Sequence, residues 1–93
     1  LHLPAAARAT AHGAAASGVA PGGLLLVLAH DRSNLDEGVG GPQDPAILPT
    51  PQEVVADLAD SGLLVERAEV ILRTVEGADR PARDCLVLAR RHA

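Results

Sequence analysis

A length of 93 residues, a 47% apolar content and a net charge of −4 allow one small domain with a core and exclude a disordered tail. All eight positive charges are Arg, scattered among acids, and aromatic residues are absent. With neither a basic stripe nor a stacking platform, a dedicated nucleic-acid surface is excluded.

The longest apolar run, Leu24 to Ala29, is far short of the roughly 20 residues of a membrane-spanning helix, so no membrane association is expected and a cytoplasmic location is. The single cysteine, Cys85, leaves no partner for an internal disulfide and no basis for a thiolate zinc cage. It lies in an apolar run and is read as a small core residue. The core must be built from Ala, Val, Leu and Ile, and a chain this short buries only about 60–65% of its unfolded surface. The sequence contains no Met and opens on Leu1, from which a start inside a longer gene is expected.

Pro4 to Ser17 reads as a helix: Pro suits the first turn, Ala dominates, and Gly18 is placed to stop it. His12 on this helix is expected at the surface. Val19-Ala20-Pro21-Gly22-Gly23 has the Pro-Gly order of a type II turn. Leu24 to Ala29 then reads as a strand covered on both faces. From His30 to Pro49 no periodicity is visible, and a stretch of that length points to a lid, anchored by Leu35, Val39, Ile47 and Leu48.

Thr50-Pro51-Gln52-Glu53 matches a capping box and predicts a helix that presents Val54, Val55, Leu58 and Ala59 inward and stops at Gly62. Asp57, Asp60, Glu66 and Glu69 read as solvated acids. Leu63 to Val75 alternates and predicts a long strand with one face partly wet. Glu76 to Pro81 is a turn, and Asp84 to Arg91 a last strand. The connection is too short for a crossover helix, so these two strands pair antiparallel.

The order helix, Pro-Gly-Gly turn, apolar strand, loop, capped helix and two closing strands resembles the second half of the class I S-adenosylmethionine-dependent methyltransferase fold. The residues that carry the resemblance are Val19-Ala20-Pro21-Gly22-Gly23-Leu24-Leu25-Leu26-Val27. They look like that family's leucine/valine-x-Pro-Gly-Gly-x-leucine approach to its fifth strand. Leu1-His2-Leu3-Pro4 is similar to the segment after the family's fourth strand. The resemblance spans the chain and implies an α/β, partial Rossmann-like fold, with residues 1–93 as the C-terminal portion of the domain. It also implies a last strand inserted antiparallel between the other two.

The chain departs from the family by lacking the glycine-rich loop after the first strand and the acidic residue that ends the second. Gly38-Val39-Gly40-Gly41 neither follows a strand directly nor opens a helix, and is read as lid flexibility. Binding of S-adenosylmethionine by this chain alone is therefore expected to be weak or absent, and the isolated chain inactive.

Ligands of open α/β sheets lie beyond the carboxyl ends of the strands. That places Ala29-His30-Asp31 at the reacting edge. His30 and Asp31 are the candidate catalytic residues, as acceptor contact or general base. Arg32 and Asn34 are the substrate-binding candidates, and the resemblance places His2 and Leu3 near the cofactor's methionine portion. No metal is expected. The expected partners are a small-molecule methyl acceptor of the whole domain and a second copy at the bared edge of Leu24–Ala29. Two other readings stand beside this one: a non-enzymatic α/β interaction or dimerisation module, and a different doubly wound enzyme such as a reductase.

Overall fold

An Ala-rich segment led by a proline needs no side-chain cap to begin a helix, and none is used: α1 runs Ala5–Ser17 behind Pro4 in a computed structural model that describes residues 3–93. The turn predicted from Pro21-Gly22 forms, with Gly22 at φ +78°, a value that only glycine adopts without strain. It delivers the chain into β1 (Leu24–His30). The region read as a bare loop carries a single helical turn, α2 (Asn34–Glu37), and a 3-10 turn, Pro45–Ile47.

The capping box forms as the sequence dictates. The Thr50 hydroxyl accepts from the Glu53 N–H at 3.2 Å and the Glu53 carboxylate accepts from the Thr50 N–H at 3.0 Å. The helix it starts, α3, spans Pro51–Asp57, ending short of the Gly62 stop, with turns from Leu58 to Ser61. Two long strands, β2 (Leu64–Arg73) and β3 (Ala82–Arg90), complete the chain.

The sheet order is β1-β3-β2, and β3 pairs antiparallel with both neighbours. The fold is thus mixed α/β, with the last strand in the centre. Against β1 the register sets Val27 opposite Val87 without a slip. Against β2 it carries a bulge between Val65 and Arg67, which leaves Glu66 outside the ladder.

Side-chain alternation divides the sheet into two unlike faces. Cys85, Val87 and Ala89 of β3 point to the covered face and are fully buried against Ala16 of α1 and Val54 and Leu58 of α3. Leu25, Val27 and Val65 pack around them. Cys85 is therefore the small core residue that its apolar setting suggested.

The opposite face corrects the reading of Leu24–Ala29 as covered on both sides. Leu24, Leu26 and Leu28 are 52%, 57% and 54% exposed, because the core helices lie on one side of the sheet only and β1 is its outer strand. An unbroken apolar run reports that both faces favour cover, and cannot report that one of them lacks it. Ala59, assigned to the inner face of α3, is exposed beyond the end of the helix.

The two faces should respond differently to truncation. Leu58→Ala, at a side chain 2% exposed, should lower stability by about 2–5 kcal/mol. Leu26→Ala should change it by no more than about 0.5 kcal/mol. Urea denaturation at low micromolar protein, followed by far-UV circular dichroism, measures both.

Candidate functional site

The first cluster lies where β1 ends. The Asp31 N–H donates to the Arg83 carbonyl at 2.9 Å, which carries the ladder one residue past the strand. The Asp31 side chain is 2% exposed, and its Oδ2 accepts from the N–H and the hydroxyl of Ser33. Its Oδ1 is buried with no hydrogen-bond partner among the described residues.

Asn34 is buried and acts as a clamp. Its Oδ1 accepts from the N–H groups of Val39, at 3.1 Å, and Arg83, at 2.8 Å, while its Nδ2 donates to the carbonyl of Gly40 at 2.9 Å and, more weakly, to that of Val39. Both amide functions are engaged inside the protein. The clamp explains Gly38: a Cβ there would stand 1.7 Å from Asn34 Oδ1. Gly40 and Gly41 take positive φ. Gly38-Val39-Gly40-Gly41 is accordingly a pinned turn, held by one buried amide.

Arg32 secures the far side of the same loop. Its Nε donates to the Leu48 carbonyl at 3.1 Å and its Nη2 to Glu53 Oε1 at 2.5 Å. The hydrogen bond from Arg32 is the main reason why the Glu53 carboxyl lies below its ordinary range, with the Thr50 N–H adding to it. His30 takes the opposite direction from Asp31. In register with Asp84, it sits on the sheet's open side with 27% of its side chain exposed and its Nδ1 3.7 Å from Asp84 Oδ1. Arg73 binds the other Asp84 oxygen at 2.9 Å.

The two candidate catalytic residues therefore occupy different environments: His30 faces outward and Asp31 is enclosed. The candidate substrate residues Arg32 and Asn34 spend their polar atoms on the loop and on α3. Leu3 is half-buried ahead of α1, and His2 lies outside the described residues.

The second cluster was not anticipated. Arg8 Nε donates to Asp57 Oδ2 at 2.7 Å, Arg8 Nη2 reaches Oδ1 at 3.3 Å, and His12 Nδ1 lies 2.8 Å from Oδ2. The three side chains are only 7%, 8% and 6% exposed for Arg8, Asp57 and His12. This corrects His12 as a surface residue and Asp57 as a solvated acid. Alanine gives α1 so thin a surface that its few long polar side chains fill the contact with α3. Arg8 and His12 are four residues apart and share a helix face, and that spacing was the signal in the sequence.

Arg8 and His12 also line a groove of about 300 Å³ that runs between α1 and β1, walled by Leu25 to Ala29 and Pro49. Since Asp57 holds His12 Nδ1, Nε2 is the ring nitrogen left to meet anything in the groove.

Burial pushes the Asp57 carboxyl up, but the hydrogen bonds and charges of Arg8 and His12 outweigh it and leave the group below its ordinary value. The same pair raises Arg8. Burial, with the Asp31 charge adding to it, pushes the Cys85 thiol up to about 12, which removes it as a nucleophile. Among the described residues no three His, Cys, Asp or Glu side chains gather as a metal-ligand set, and no helix is long and apolar enough to cross a membrane. No protein-family model and no curated protein matches the chain.

A carboxyl depressed in the folded state stabilises the fold above its unfolded pKa, about 4, and loses that contribution as pH falls through the lower folded value. Asp57→Asn should therefore cost about 3 kcal/mol at neutral pH, as removing one partner of a buried pair does. It should also flatten the fall in stability below about pH 4. Urea titrations across an acid pH series measure both effects.

Proposed function

We propose that this chain is the C-terminal part of a class I S-adenosylmethionine-dependent methyltransferase domain of Rossmann-like fold, which as a whole methylates a small molecule. The observation that carries the reading is the sheet order β1-β3-β2, with the last strand central and antiparallel to both neighbours and β1 approached through Pro21-Gly22-Gly23. An order in which the final strand enters between two earlier ones is what the resemblance implied, and chain-order pairing would have argued against it. A cytoplasmic location belongs to the same reading.

The residues of this chain do not fit the cofactor. Among the described residues no glycine-rich loop links a strand to a helix N-terminus, and at the carboxyl end of β1 the polar atoms of Arg32 and Asn34 are engaged by the loop, α3 and β3. No step of the reaction is therefore assigned through S-adenosylmethionine here. What this chain offers the proposed domain is a rigid floor beyond β1. His30 stands at its rim as the residue able to orient an acceptor or take its proton, and Asp84 lies beside the ring.

Calorimetric titration of the chain with S-adenosylhomocysteine should give no binding heat, and micromolar affinity would overturn the assignment of the cofactor contacts to residues outside it. The reading frame upstream of Leu1 should encode a strand followed by Gly-x-Gly-x-Gly and a later strand ending in an acid; a frame without them removes the methyltransferase reading.

A further inference from the structure

At the carboxyl end of β1 the open side of the sheet carries one polar row, to which all three strands contribute. His30 of β1 stands opposite Asp84 of β3. Arg73 of β2 pairs with Ala82, two residues before Asp84 and on the same face, so it reaches Asp84 along a diagonal. Asp84 is the middle member and is only 5% exposed. Arg73 grips it with a fork, Nε 2.9 Å from Oδ2 and Nη2 3.4 Å from Oδ1. His30 Nδ1 lies 3.7 Å from Oδ1. One carboxylate thus serves the arginine and faces the imidazole.

The ring is also seated by the loop. A Cβ on Gly41 would stand 3.1 Å from each of Cγ, Nδ1 and Cε1 of His30. Equal reach to three atoms of a five-membered ring occurs only over the face of that ring. The loop therefore lays the Gly41 backbone flat on the imidazole, at φ +72°, where any side chain would be both strained and crowded. Gly41 fixes the plane of the ring, and Asp84 selects the edge that turns inward. Nδ1 is on the buried edge, so the 27% of the side chain that is exposed lies at its other atoms.

We propose that Asp84 is a positioning residue for His30: with Arg73 behind it, it keeps the proton of the neutral ring on Nδ1 and leaves Nε2 as the outward lone pair. This rests on the reading of His30 as the group that takes the acceptor's proton, and adds what polarises it. A base needs its lone pair on the side from which the acceptor approaches, and an imidazole acquires that polarity from what its other nitrogen meets. The 3.7 Å separation is longer than a hydrogen bond. Contacts of this kind are often loose until a substrate is in place.

Arg73 gives the arrangement its direction. A guanidinium only donates, so it claims an oxygen of whatever residue stands at position 84. An ion pair of Arg73 and Asp84 that served the fold alone would leave the tautomer of His30 to the solvent. The two roles therefore give different readings of the same ring.

Nitrogen-15 spectra of the labelled chain's histidine rings test the proposal, at about pH 9, well above the ordinary imidazole pKa of about 6.5. Two-bond couplings to the ring protons separate an N–H from a bare nitrogen, and the signals lost in His30→Gln are those of His30. The unaltered chain should hold His30 in the Nδ1–H form. In Asp84→Asn the Arg73 fork keeps the amide oxygen and turns the NH2 group to Nδ1, which should convert the ring to the Nε2–H form. Adding Arg73→Ala frees the amide to turn its oxygen back, and the Nδ1–H form should return. Circular dichroism checks that each variant is folded. An Nε2–H ring in the unaltered chain would overturn the proposal with no variant required. A folded Asp84→Asn chain with an unchanged tautomer, or a double variant that stays in the Nε2–H form, would do the same. None of these results bears on the methyltransferase reading, which the upstream frame decides.

Discussion

The structure depends on β3 being hydrogen-bonded along both edges. It is the last strand in the chain and the central one in the sheet, so β1 and β2, which are not neighbours in the sheet, each find their ladder partner in it. Its inward residues Cys85, Val87 and Ala89 are all fully buried and supply half of the core cluster, the rest coming from α1 and α3. A fold arranged in this way closes late: β1 waits for a partner about sixty positions further on. Contacts of such separation make folding slow relative to local pairing.

The long connection after β1 obeys the same constraint. Asn34 ties Val39 and Gly40 to itself and at the same time accepts from the N–H of Arg83 in β3. Arg83 in turn donates through Nε to the Ser33 hydroxyl at 2.8 Å. Arg91, just past β3, reaches the carbonyls of Ala16 and Val19 at the end of α1 at 2.8 and 2.7 Å, where a cation also suits the helix dipole. The two ends of β3 thus fix the loop and the first helix as well as the sheet. Segments with no pattern of their own are ordered by side chains aimed at one strand.

What could be read from the sequence was local. The capping box was legible because Thr50 and Glu53 satisfy each other within one turn, and the Pro21-Gly22 turn because φ at Gly22 is a property of the residue. Strand positions followed from alternation and from apolar runs. The buried Arg8–Asp57–His12 cluster was legible only in the shared helix face of Arg8 and His12, since Asp57 lies more than forty positions away from both and a charged residue in a helix looks the same whether it faces water or another helix. Asn34 was recognised as significant, but sequence could not tell an amide aimed at a ligand from one aimed at its own loop. Gly38 makes the same point: its spacing from Asn34 acquires meaning only when the side chain curls back over the turn. The bare face of β1 escaped for a different reason, because hydropathy states what a residue favours and is silent on whether cover exists.

These features combine in the energetics of the core. Without aromatics, and with Ala16, Ala82, Cys85 and Ala89 among its fully buried positions, the interior gains less per residue than a core of Leu and Phe would, since the gain scales with apolar area removed from water. The larger side chains are partly outside: Leu24, Leu26, Leu28, Leu64 and Leu72 are each more than half exposed. Fully burying a leucine contributes about 1.5–3 kcal/mol, so covering the half-exposed stripe of three on β1 would add roughly 3 kcal/mol. For a small domain whose total stability is commonly about 5–10 kcal/mol, that is a substantial fraction. The outer strand is thus where this fold has the most to gain from a neighbour, because a core with so many small residues offers little of that gain from within.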